Sequence, residues 1–125
     1  MCFYVHEDHK EKKIAEEDIV CYKIVEVPDK DGIMKSLHME YLWEMDRLTS
    51  ANIRLSRYKS DSNNTIYEII HEGLHSYSEQ VKIDLNNNYI EVECIIPKGS
   101  EYYYSPSDKE YVSNQLIIIK KYDGN

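Results

Sequence analysis

The stretch His71-Glu72-Gly73-Leu74-His75 has residue types and spacing that spell out a reaction. On a helix, histidines at i and i+4 project the same way, so His71 and His75 reach one zinc ion. Glu72 between them would then act as general base on a metal-bound water. A third ligand has no recognisable context; Glu79, Glu91 and Glu93 are merely available. Gly73 works against the scheme, since glycine inside a helix costs about 1 kcal/mol relative to alanine and loosens the ligands. The competing reading ends a strand near Ile70, bends the chain at Gly73 and leaves both histidines exposed.

A second group of residues suits binding rather than bond-breaking. Pro97-Lys98-Gly99-Ser100 is followed by Tyr102-Tyr103-Tyr104, so a tight turn leads into three ring faces. Gly99 lets backbone come close to a ligand, and Lys98 and Ser100 each offer a donor. With Trp43, His75 and Tyr77, these residues form the expected ligand- or partner-binding surface. The chain holds 12 Tyr against one Phe and one Trp, so most of its aromatic surface carries a hydroxyl that needs water or a partner. The same turn also reads as a plain connection between two extended segments with half-buried tyrosines.

Charge and cysteine usage narrow the alternatives. A net charge of −8 disfavours nucleic acid, whose phosphates need a concentrated positive face. The one local basic cluster, Arg47, Arg54, Arg57 and Lys59, is expected to be a solvated face. Cys2, Cys21 and Cys94 are widely spaced without a CxxC, which suggests neither a disulfide framework nor a cysteine zinc site. Cys21 and Cys94 lie in apolar runs, where burial would raise a thiol's pKa and deny it access, so cysteine nucleophilic catalysis is not expected. No apolar run approaches the roughly 20 residues of a membrane helix, and no charged-then-apolar leader opens the chain. A cytoplasmic protein with no membrane partner is expected.

The elements that must position these groups read as follows. Ile19 to Val27 is a strand, rich in β-branched and aromatic residues and closed by Pro28. Asp29 to Gly32 is a turn. Across 33–48, Ile33, Leu37, Tyr41, Met45 and Leu48 recur at helical spacing and predict a helix, although 40–45 also alternates. Residues 49–64 are polar and end in a surface loop. Residues 65–83 carry either one helix, with Thr65 and Glu68 at capping-box spacing, or a strand, a break at Gly73 and a short helix from Ser76 or Ser78. Tyr89 to Ile96 alternates as a half-buried strand, 101–104 continues extended, and Tyr111 to Lys120 is the last strand. Leu116 to Ile119 is unbroken apolar sequence, which predicts cover on both faces.

Three resemblances accompany these residues. The five residues His71 to His75 resemble the zincin metallopeptidases, which implies His71 and His75 as ligands and Glu72 as base. The stretches 14–23, 72–77, 94–103 and 111–116 together are similar to small uncharacterised proteins of gut bacteria and their phages. That likeness implies a compact phage- or prophage-encoded domain without an assigned activity, and a structural turn at 73–77. The order of elements also looks like a minimal ADP-ribosyltransferase layout. Lys23 then stands where that family offers Arg or His, and Gln115, with Glu110 upstream, where it offers a catalytic Glu.

The sequence therefore predicts a single α+β domain over 1–125, with a small antiparallel or mixed sheet and one or two helices. It points to a non-enzymatic binding or interaction domain with no cofactor, whose protein or small-molecule ligand the residues do not name. A zinc-dependent hydrolase at 71–75 is the first alternative, and an ADP-ribosyltransferase-like domain, active or inactive, the second.

Overall fold

The computed structural model describes residues 3–5, 11–36, 41–59, 66–80 and 87–122. Among them every regular element is a strand. In chain order these are β1 (Phe3–Val5), β2 (Lys13–Ile14), β3 (Ile19–Glu26), β4 (Met34–Lys35), β5 (Leu42–Trp43), β6 (Leu48–Ser50) and β7 (Arg54–Lys59). They continue as β8 (Ile66–Glu72), β9 (Leu74–Tyr77), β10 (Tyr89–Ile96), β11 (Glu101–Ser105), β12 (Glu110–Ser113) and β13 (Gln115–Tyr122). The α+β expectation is thus corrected to an all-β fold.

The main sheet has eight strands in the order β2-β11-β12-β9-β3-β10-β13-β6, every ladder antiparallel. A second sheet runs β1-β8-β7, and β4 pairs with β5. Two corners tie these parts together. Gly73 joins β8 to β9, so one run of chain passes from the second sheet into the first. Asn114 joins β12 to β13, which stand apart in the order with β9, β3 and β10 between them, so the sheet must curl to connect them. Asn114 fastens that corner on both sides. Its N–H donates to the Glu101 carbonyl and its own carbonyl accepts from Ala51 N–H, each at 3.0 Å, while its Oδ1 accepts from Glu101 N–H at 2.9 Å.

The main core lies inside the curl. β10 alternates as read from the sequence, burying Ile90, Val92, Cys94 and Ile96. They pack with Cys21, Val25, Leu74, Leu116 and Ile118, closed over by Met34 and Trp43. A second, smaller core joins Ile70 of β8 to Tyr103 and Val112, with Ile53 beside them.

The helix expected at 33–48 is not formed. Of the two readings of 65–83, the strand broken at Gly73 is the one the chain adopts, without the short helix from Ser76 or Ser78 among the described residues. Met34 and Trp43 face each other across β4 and β5, both fully buried, so their spacing serves a strand pair. Ile70 and Leu74 are four apart, as on one helical face, yet Gly73 between them turns the chain and sends them into different cores. Ile33 to Leu48 in addition holds residues 37–40, and 65–83 holds 65 and 81–83, which lie outside the described residues. Of the polar stretch 49–64, Arg54–Lys59 forms β7, and the surface loop expected at 59–64 lies, apart from Lys59, outside the described residues. The last strand is divided at Asn114. Within β13 Leu116 and Ile118 are buried while Ile117 and Ile119 are half-buried, so that strand alternates instead of being covered on both faces.

Candidate functional site

Pairing of β11 with β12 sets Tyr102 opposite Ser113, Tyr103 opposite Val112 and Tyr104 opposite Tyr111. Side chains alternate along a strand, so Tyr102, Tyr104 and Tyr111 share one face and Tyr103 points to the other. Tyr103 is 6% exposed and belongs to the smaller core. The other three rings form a half-buried row. Tyr102 meets Tyr111 edge-on at 5.9 Å between centroids, and Tyr111 meets Tyr104 tilted at 4.6 Å. The spacing falls in the range of attractive aromatic pairs. The Tyr104 hydroxyl is hydrogen-bonded to Ser78 Oγ at 3.2 Å, and burial pushes the Tyr111 phenol above its usual range.

At its Tyr102 end the row opens into a groove of about 690 Å³, lined also by Lys13, Ile14, Ala15, Glu16, Glu17 and Ile19. The loop under this groove is pinned at three points. Ala15 N–H donates to the Ser100 carbonyl and Gly99 N–H to the Ala15 carbonyl, both at 2.8 Å, while Lys98 N–H donates to Asp18 Oδ1 at 2.9 Å. Ile14 remains 55% exposed on the edge strand β2, an apolar contact point beside two acidic side chains.

The opposite face of β9 and β12 carries a polar pair. His75 Nδ1 is 3.2 Å from Glu110 Oε1, and Tyr77 stands across from Glu110, where burial and then that carboxylate raise its pKa. Behind them Lys23 Nζ donates to the His75 carbonyl at 2.8 Å and sits 5.3 Å from the centroid of the Trp43 ring. Burial of the ammonium lowers the Lys23 pKa to about 8.

The expected binding residues therefore divide. Tyr102 and Tyr104 come together on the row; His75 and Tyr77 lie on the reverse face. Lys98 is exposed on its turn, next to the groove through Asp18. Trp43, Ser100 and Tyr103 are buried: the Trp43 indole donates to Ser36 Oγ at 2.6 Å and Ser100 Oγ to Gln115 Oε1 at 3.0 Å. Tyr111 and the groove residues Lys13, Ile14, Glu16, Glu17 and Ile19 were missed. Tyr111 is recoverable from the alternation of two neighbouring strands; the groove depends on a contact between distant segments and has no local signal.

The zinc geometry is not built, because His71, Glu72 and His75 are on strands. His71 Nδ1 is bonded to Ser56 Oγ at 3.0 Å, Glu72 pairs with Arg54 at 2.6 Å, and His75 turns to Glu110 across the corner at Gly73. No group of three His, Cys, Asp or Glu side chains suited to a metal occurs among the described residues. Of the transferase layout, Glu110 is paired to His75 and Gln115 accepts from Ser100 at the Asn114 corner. Neither a family model, nor a curated protein, nor a solved structure matches this chain.

Proposed function

We propose that this domain is a non-catalytic binding module, phage- or prophage-encoded as the resemblance implies, whose recognition surface is the Tyr102–Tyr111–Tyr104 row with its adjoining groove. The observation that carries the reading is their continuity: Tyr102 belongs both to the ring row and to the groove wall. Half-buried tyrosines give large contact area at small cost in side-chain entropy, which is why such rings recur in binding surfaces. The groove supplies an apolar contact at Ile14 and two carboxylates at Glu16 and Glu17. Ligands with flat or ridged apolar faces, neutral or cationic, suit that lining, while the −8 net charge repels polyanions.

The test is a screen of immobilised glycans and extended peptides, followed by titration of each hit against Tyr102→Ala, Tyr104→Ala and, for the reverse face, Tyr77→Ala. Loss of at least about tenfold in affinity is expected for the first two, as for other buried aromatic contacts, and little change for the third. Hits that ignore Tyr102 and Tyr104, or a screen without hits, would overturn the assignment.

A further inference from the structure

The main core contains a polar knot that packing alone does not explain. Cys21 of β3 and Cys94 of β10 stand directly opposite each other, both fully buried and both free. The Cys94 thiol donates a hydrogen bond to the Cys21 sulfur, which lowers the pKa of Cys21 and raises that of Cys94. Ser76 Oγ lies beside Cys21, fully buried, without a hydrogen-bond partner among the described residues. A buried hydroxyl in that state costs roughly 1–3 kcal/mol, so its placement against a sulfur calls for a reason. Lys23 is two residues from Cys21 on the same side of β3, its ammonium acting on both sulfurs. Finally, the β10–β13 ladder slips its register between Glu93 and Cys94, a bulge that loosens the sheet at this thiol.

From this juxtaposition of two opposed thiols, a cation, an unpartnered hydroxyl and a bulge, we propose that Cys21 and Cys94 are an oxidation site. They form a reversible intramolecular disulfide that staples β3 to β10, with a small peroxide as oxidant. Directly opposed residues of an antiparallel pair have Cα atoms about 4.5–5.5 Å apart. Disulfides span roughly 4.4–6.8 Å between Cα atoms, so little backbone movement is needed.

The chemistry balances. The Cys21 thiolate attacks one peroxide oxygen and the O–O bond breaks. The departing hydroxide takes a proton from the Lys23 ammonium and leaves as water, with Cys21 now a sulfenic acid. Cys94 gives its proton to the Lys23 amine and its thiolate attacks the Cys21 sulfur. The S–O bond breaks, and the second hydroxide recovers that proton and leaves as water. Two thiols and one peroxide thus become one disulfide and two waters. Ser76 Oγ is placed to donate to the Cys21 thiolate. Because neither sulfur is exposed, the peroxide enters as the strand opens at the bulge.

The experiment uses the full chain carrying Cys2→Ser, so that only these two thiols remain. Folded monomer is treated with hydrogen peroxide, quenched, unfolded in the presence of an alkylating agent and digested. A linked peptide joining Cys21 to Cys94, absent after treatment with a reductant and absent in Cys94→Ser, is the expected result. Lys23→Met should slow its formation about tenfold, since the thiolate and the leaving hydroxide both lose their cation. Two alkylated thiols after native treatment, or a linkage that appears only once denaturant is added, would overturn the site. An unchanged rate in Lys23→Met removes the lysine from it.

Discussion

Gly73 presses directly on Val112: a β-carbon built at residue 73 runs into Val112 Cγ1 and comes within 3.7 Å of Ile53 Cγ1. The glycine also holds φ at 153°, a conformation that other residues rarely adopt. Both facts follow from its place at the turn between β8 and β9, with the chain crossing over the smaller core. Gly73→Ala is therefore expected to destabilise the fold by about 2–4 kcal/mol, from overpacking added to backbone strain. Val112→Ala introduced with it should recover part of that loss by removing the obstructing methyl. Urea unfolding of the single and double variants measures both, and a Gly73→Ala protein as stable as the parent would show that the corner is misplaced.

Two consecutive tyrosines separate the core from the recognition surface. Tyr103 is sealed between Ile70 and Val112, so Tyr103→Ala should cost about 3 kcal/mol, the usual scale for emptying a large aromatic site. Tyr104 is half-buried with its hydroxyl on Ser78, so Tyr104→Ala should cost nearer 1 kcal/mol. Paired denaturant curves decide the matter: equal losses at the two positions would contradict the alternation along β11.

These same residues show which parts of the structure could be read in the chain. Tyr89 to Ile96 was recoverable because its alternation, β-branched content and closing Pro97 all favour one half-buried strand, and local preference agreed with tertiary packing. The stretch from Ile66 to Tyr77 left a helix and a strand broken at Gly73 both open, and the break is what forms, because two cores lie on opposite sides of one bent run. Ile70 fills the smaller and Leu74 the larger, and resetting the two-residue alternation at Gly73 produces a spacing of four that imitates a helix. Met34 and Trp43 gave no local hint of their pairing, since their strands are two residues each and are held by burial against the sheet. The tyrosine trio at 102–104 was visible as a composition, but strand alternation divided it and cross-strand register supplied Tyr111 in place of Tyr103.

His71 lies on β8, exposed, with its ring hydrogen-bonded to Ser56 Oγ. Its replacement by alanine should shift stability by no more than about 0.5 kcal/mol, as at other surface positions. Protein purified without a histidine tag should carry no stoichiometric zinc at this motif, and a chelator should leave its unfolding midpoint where it was. Metal analysis of the parent and His71→Ala proteins checks this. One zinc per chain that disappears in the variant would restore the helical reading of 71–75.

Lys23 gives the fold a pH dependence whose sign can be worked out. Burial lowers its pKa from 10.5 in the unfolded chain to about 8 in the folded one. Below about 8 both states hold the proton, and the folded protein carries the whole cost of enclosing an ammonium. Between 8 and 10.5 the folded state has shed that proton while the unfolded chain still binds it, so stability rises with pH. Tyr77 and Tyr111, raised above 10.0 by burial, act in the opposite direction at the alkaline end. Cys94, raised well above 9.0, does so within pH 8 to 10, while Cys21, lowered from 9.0, adds to the rise, so the parent is read against Lys23→Met over that interval. Urea midpoints should climb across that interval by an amount on the order of 1–2 kcal/mol, given partial solvent contact of the side chain. Lys23→Met should start higher at pH 7 and stay flatter, because no charge remains to be desolvated. A parent curve parallel to that of Lys23→Met would mean that the ammonium is solvated in the folded protein and that its hydrogen bond to the His75 carbonyl is not held.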